Sequence, residues 1–194
     1  MCIRDRRYSL FAGGKRIRPV LALAACEAVG ADPAGIIREA CALELIHTYT
    51  LIHDDLPCMD DDDYRRGRLT SHKVFGEAIA VLAADALQTE AFKLLAEGAA
   101  VSGHPFEKII EVIHLVAHSS GSKGVIGGQV VDLESEGKTI DKKTLEYIHV
   151  HKTGKLIYAA VLLGGLLGNA APQQMDCLKK YGEATGLAFQ ITDD

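Results

Sequence analysis

Residues 53–68, His-Asp-Asp-Leu-Pro-Cys-Met-Asp-Asp-Asp-Asp-Tyr-Arg-Arg-Gly-Arg, place six carboxylates and three guanidinium groups within sixteen positions. Like charges at that density repel one another, so a counter-charge is the natural explanation. Carboxylate oxygens without cysteine or clustered histidine suit a hard cation, Mg²⁺ or Ca²⁺, better than zinc. The arginines immediately downstream suit phosphate, which a guanidinium grips in bidentate fashion. Together they predict a site where metal ions hold an anionic phosphate ester. A solvated acidic loop is the competing reading of any charge run; the apolar flanks on both sides argue against it here.

Other residues fall into register with that segment. His47 and Asp54 are seven residues apart, which on a helix leaves them about 20° apart in direction and roughly 10 Å apart along the axis. They would share a face, and from geometry alone His47 stands equally as a packing residue or a site residue. Asp54 and Asp60 would diverge by about 120° on an unbroken helix, but Pro57 disfavours helical geometry at Leu56 and removes a backbone donor. The helix should therefore end there and the chain turn, bringing Asp60 back beside Asp54. An EF-hand starting at Asp60 fails, because its sixth position is Arg65 and its twelfth Ser71. Gly13-Gly14-Lys15-Arg16-Ile17-Arg18-Pro19 puts flexible backbone and three cations at a helix start, a second candidate anion site. Lys152-Thr153-Gly154 offers a further cation and hydroxyl. Near the C-terminal end, Gln190, Asp193 and Asp194 share a helix face by their spacing and form a second carboxylate pair.

The elements that must position these groups read almost throughout with the helical period. Helices are expected over Arg18–Val29, Ala34–His53, Glu77–Glu97, Phe106–Ser119, a glycine-studded stretch to about Leu133, Lys142–Leu167 and Gln173–Thr192, with breaks at Pro33, Pro57, Pro105, Gly137 and Pro172. With no alternating β-branched run, the fold class is all-α. Glycines at 121, 124, 127 and 128, and at 164, 165 and 168, each cost roughly 1 kcal/mol in a helix relative to alanine. Close helix approach or room for a ligand would account for them. At 194 residues and 48% hydrophobic, the chain is long and apolar enough for one domain with a real core. A net charge of −5 argues against a general nucleic-acid binder. No apolar run reaches membrane-spanning length and Met1–Leu10 does not read as a signal peptide. Five scattered cysteines without a paired motif point to a reducing, cytoplasmic setting, with Cys26 and Cys41 as small core residues.

The ordered motifs resemble those of the trans-isoprenyl diphosphate synthases, the polyprenyl synthetase family, and most nearly the bacterial farnesyl diphosphate synthases. Asp54-Asp55-Leu56-Pro57-Cys58-Met59-Asp60 followed by Arg65-Arg66-Gly67 is similar to the family's first aspartate-rich motif. Gly13 to Pro19, Gly128-Gln129-x-x-Asp132-Leu133 and His151-Lys152-Thr153-Gly154 resemble three more motifs, and Phe189-Gln190-x-x-Asp193-Asp194 the start of the second aspartate-rich motif. The resemblance implies an isoprenoid-synthase-type helical bundle around a central cavity, occupying residues 1–194 as one incomplete domain. Residues 1–6 do not resemble the family's lead-in, and its C-terminal helices are expected beyond Asp194.

By the same resemblance, the function is prenyl transfer from dimethylallyl or geranyl diphosphate to isopentenyl diphosphate. Mg²⁺ would be held by Asp54, Asp60 and Asp193. Lys15, Arg18, His47 and Arg66 would bind isopentenyl diphosphate, and Arg65 and Lys152 the allylic diphosphate, with Thr153 and Gln190 orienting the reacting region. Tyr49, the fifth residue before the first motif, would help to floor the product pocket and favour farnesyl diphosphate. Geranylgeranyl diphosphate synthesis and a non-catalytic partner subunit are the alternatives within the family, and an HD-type phosphohydrolase built on His53-Asp54 is the alternative outside it. A cytoplasmic homodimer, with no nucleic-acid partner and no stable membrane association, completes the expectation.

Overall fold

The computed structural model describes residues 3–193, with side chains described for residues 4–189. Its centre is helix α3 (Ile37–Asp54), whose residues Ala42, Leu43, Leu45, Ile46, Tyr49 and Ile52 are all buried. A helix apolar on most of its circumference must be wrapped by others. Here α2 (Ile17–Ala28), α5 (Glu77–Ala96) and α10 (Lys155–Leu167) pack against it, while α7 (Phe106–Ser120) and α11 (Pro172–Asp193) lie against α10. Gly164 lets α10 approach α2 closely, since a Cβ there would stand 2.1 Å from the Ala22 carbonyl oxygen. The architecture is the expected all-α bundle. No helix among the described residues is long and apolar enough to cross a membrane.

Three local departures bear on the site. The segment expected as one helix from Ala34 begins as a 3₁₀ turn, Pro33–Ile36, capped by the Asp32 carboxylate accepting from the Ala34 N–H at 2.9 Å. Lys142–Leu167 is not continuous: α9 (Lys142–Ile148) passes through a π-helical turn, His149–Gly154, into α10. The third is a short antiparallel hairpin, β1 (Tyr64–Arg65) and β2 (Arg68–Leu69), directly after the acidic segment. Its two-residue connection, Arg66-Gly67, has φ of 55° and 75°, positive at both positions as a type I′ turn requires. Helix α1 (Ile3–Leu10) braces the hairpin: the Tyr8 hydroxyl donates to the Leu69 carbonyl at 2.8 Å and the Arg68 guanidinium stacks over the Tyr8 ring. Cys26 is buried as expected. Cys41, expected as a core residue, is instead exposed on α3.

Candidate active site

Helix α3 ends at Asp54, where Pro57 requires it to end, and the chain folds back so that the Asp60 N–H donates to the Asp54 carbonyl at 2.8 Å. The six carboxylates of the acidic segment then separate by partner. Asp55 accepts from Arg65 Nε at 2.8 Å, and Asp62 accepts from Arg65 Nη2 at 2.9 Å. Asp63 pairs with Lys73 at 2.6 Å. Asp54 and Asp60 have no ion-pair partner among the described residues: burial first pushes the Asp54 carboxyl up to about 6, Lys152 opposes the shift, and Asp60 adds to it. Half-buried Asp54 and exposed Asp60, held close by the backbone, fit a hard divalent cation, which takes one or two protein carboxylates and completes its shell from water and phosphate oxygens. Among the described residues no third His, Cys, Asp or Glu joins them.

The hairpin sends its two arginines in different directions. Arg66, in the turn, reaches the Gly13 carbonyl through Nη1 and lies against Gly14, where a Cβ would stand 2.5 Å from its Cζ. Arg66 thereby joins Lys15, Arg16, Arg18, Glu44 and His47 around a cavity of about 290 Å³. Arg16 is committed to the scaffold, pairing with Glu44 and donating to the Leu10 carbonyl at 2.6 Å. Arg18 is buried and its Nε has no partner among the described residues; burial, partly offset by Glu44, brings it down to about 10, still cationic at neutral pH. Burial and then Arg18, Arg66, Arg16 and Arg65 hold the His47 imidazole down at about 2, so it is a neutral donor. A pocket of cations around a neutral imidazole, with one carboxylate, is built for an anion.

A second cavity, about 490 Å³, opens beside the C-terminal half of α3. Asp54 stands in its wall with Tyr49, Thr50, His53, Met59 and Val81, and α8 (Val125–Ser135) contributes Val125, Ile126, Gln129, Val130 and Leu133. The lining is largely apolar. Tyr49 is only 3% exposed, packs edge-on against His53, and is pushed up to about 12 by burial and then by Asp54. Lys152 projects from the π turn to Asp132 of α8 at 2.6 Å and lies within the field of Asp54. That reach depends on Gly128, where a Cβ would stand 2.3 Å from the Lys152 nitrogen.

The predicted residues are thus assembled as two groups. Lys15, Arg18, His47 and Arg66 surround one cavity; Asp54 and Tyr49 line the other, with Asp60, Arg65 and Lys152 near Asp54 and half-buried Thr153 in the π turn. Both His47 and Asp54 lie on α3, about two turns apart, and His47 lines the first cavity while Asp54 lines the second. Tyr49 lines the same cavity as Asp54. The side chains of Gln190 and Asp193, like Asp194, lie outside the described residues. Gln129 and Asp132 stand within a quoted motif, but sequence reasoning gave them no role; Gln129 lines the second cavity and Asp132 holds Lys152. Gln129 is 8% exposed and its Nε2 has no partner among the described residues; its signal was the helix-weakening Gly127-Gly128 pair just before it.

Comparison with known proteins agrees with this geometry. Residues 4–194 match the family described as polyprenyl synthetase. The chain is 52% identical to a geranylgeranyl diphosphate synthase of Cyanophora paradoxa, over 97% of this chain and 62% of that protein. It is 51% identical to a farnesyl diphosphate synthase of Geobacillus stearothermophilus, over 96% of this chain and 63% of that protein. Among solved structures, an FPP/GFPP synthase from Zymomonas mobilis superposes with a TM-score of 0.92 at 42% identity, covering 98% of this chain and 69% of that one. The chain therefore spans less than two thirds of the length of these curated relatives.

Proposed function

Because the chain belongs to the polyprenyl synthetase family, we propose that the protein carrying it joins an allylic diphosphate to isopentenyl diphosphate, with farnesyl diphosphate as the main product. One observation carries the reading: α3 helps to line both a cationic cavity and a largely apolar one, and the acidic turn with its arginine hairpin follows at the end of that helix. A condensation of two diphosphates needs both, an anion site for the nucleophilic substrate and an apolar tunnel for the allylic tail.

In this reading Lys15, Arg18, His47 and Arg66 bind isopentenyl diphosphate, and Arg65 and Lys152 bind the allylic diphosphate. Asp54, Asp60 and Asp193 hold Mg²⁺, which when bound neutralises charge developing on the diphosphate leaving group. Ionisation breaks the allylic C–O bond, the isopentenyl double bond attacks the resulting cation, and loss of a proton restores the alkene. The chain's own part is to keep the two substrates oriented and the cation dry. Thr153 and Gln190 orient the reacting region. Tyr49, closing the apolar cavity, supports a farnesyl product over a geranylgeranyl one.

The assembly we propose is a cytoplasmic homodimer. Exposed Ile79 and Leu82 on α5 and Phe106 and Ile110 on α7 support a second copy covering that side. The test of function is incubation with geranyl and isopentenyl diphosphates and Mg²⁺, followed by dephosphorylation and chromatography. Farnesol is the expected product, and recovery of geraniol alone would reject the proposal.

A further inference from the structure

Asp54 and Asp55 look equivalent in sequence, and the structure separates them completely. Asp54 lines the apolar cavity, whereas Asp55 is 4% exposed and faces a small space bounded by Thr48, Ile52, Arg65 and Ser71. A single Asp55 oxygen, Oδ1, lies 2.8 Å from Arg65 Nε and 2.6 Å from Arg65 Nη2. Nη2 also donates to Asp62 at 2.9 Å. Of the three guanidinium nitrogens, Nε and Nη2 are thus committed to carboxylates, and Nη1 has no partner among the described residues.

We propose that Asp55 is a positioning residue rather than a metal ligand: with Asp62, it clamps one edge of the Arg65 guanidinium so that Nη1 is presented to the allylic diphosphate. The inference rests on the functional reading above and adds the division of labour within the motif. A long arginine side chain free to rotate would lose entropy on gripping its ligand. Held by two carboxylates at the end of a tight hairpin, it is already oriented. The clamp also separates Arg65 in role from Arg66, whose neighbours are backbone carbonyls and other cations.

The test compares wild type, Asp55→Asn, Arg65→Gln and the double variant. Two quantities are read: affinity for a non-ionising geranyl thiolodiphosphate by calorimetry, and Mn²⁺ binding by electron paramagnetic resonance. Losing one charged partner of Arg65 should weaken the analogue roughly tenfold to a hundredfold, with Mn²⁺ affinity within about twofold of wild type. In the Arg65→Gln background, Asp55→Asn should add almost nothing, because its effect passes through the arginine. Mn²⁺ binding impaired as severely as in Asp60→Asn, or a full additive loss in the double variant, would overturn the positioning role. Should Asp55→Asn fail to fold, the half-buried Asp62→Asn should still weaken the analogue severalfold at unchanged Mn²⁺ affinity. An unchanged analogue affinity in Asp62→Asn overturns the clamp. Wild-type protein that binds no analogue would instead reject the functional reading.

Discussion

At the residue scale, the acidic segment is a set of carboxylates sorted by partner. Asp55 and Asp62 hold Arg65, Asp63 holds Lys73, and Asp54 is left partly buried beside Asp60. The Asp54 carboxyl, raised to about 6, makes the metal-free protein pH-sensitive with a definite sign. The folded state holds a proton that the unfolded state releases near pH 4, so this contribution to stability is present at low pH and lost as pH rises through about 6. The whole effect is about 2–3 kcal/mol. Asp54→Asn, an uncharged near-isostere, should therefore stabilise the metal-free protein at pH 8 and not at pH 4, as read by thermal melts in EDTA. Saturating Mg²⁺ with diphosphate should erase the advantage. For His47 the sign is opposite: burial and then the surrounding arginines hold it down at about 2, and a bound diphosphate should raise its pKa by offsetting those cations. A titration of its ring signals by NMR, unchanged on adding isopentenyl diphosphate, would contradict its place in the anion site. The return of Asp60 to Asp54 was legible in sequence from Pro57, and the clustering of arginines after it from charge. Which carboxylate serves which cation was not, because that depends on where the hairpin turns.

At the element scale, helix positions were legible wherever apolar period and a proline or glycine break coincided, as in α5 and at the end of α3. The π turn was not. Ile148 to Leu156 carries a helical pattern throughout, and the extra residue per turn is stabilised by tertiary packing against α8. The hairpin was missed because two-residue strands leave no alternation to read, and its turn uses Arg66 rather than the usual Asn or Asp before glycine. Gly128 joins the two scales, since it permits α8 to touch the backbone of Lys152. Gly128→Ala should force that contact apart, costing about 1–3 kcal/mol of stability. It should also lower kcat beyond what the melting temperature explains, by displacing Lys152. Full turnover in a folded Gly128→Ala protein would show that Lys152 does not depend on this approach.

At the scale of the whole molecule, one buried helix lines both a cationic cavity and a largely apolar one, and Tyr49 on that helix lines the second. Replacing Tyr49 with Ala should open volume for further CH₂ groups of the growing tail, each favoured by about 0.8 kcal/mol on burial. The product should shift from C15 toward C20 with the metal requirement unchanged, a result read from the chromatographed alcohols. A folded Tyr49→Ala protein with an unaltered farnesol fraction would show that the ring only packs between helices. The central claim is that Asp54 and Asp60 act together with metal on a diphosphate leaving group, and it is tested most directly by the rate of condensation in Asp60→Ala at limiting Mg²⁺. Loss of one ligand should slow turnover at least a few hundredfold, equivalent to several kcal/mol of barrier. Near-wild-type turnover of Asp60→Ala under those conditions would contradict the account.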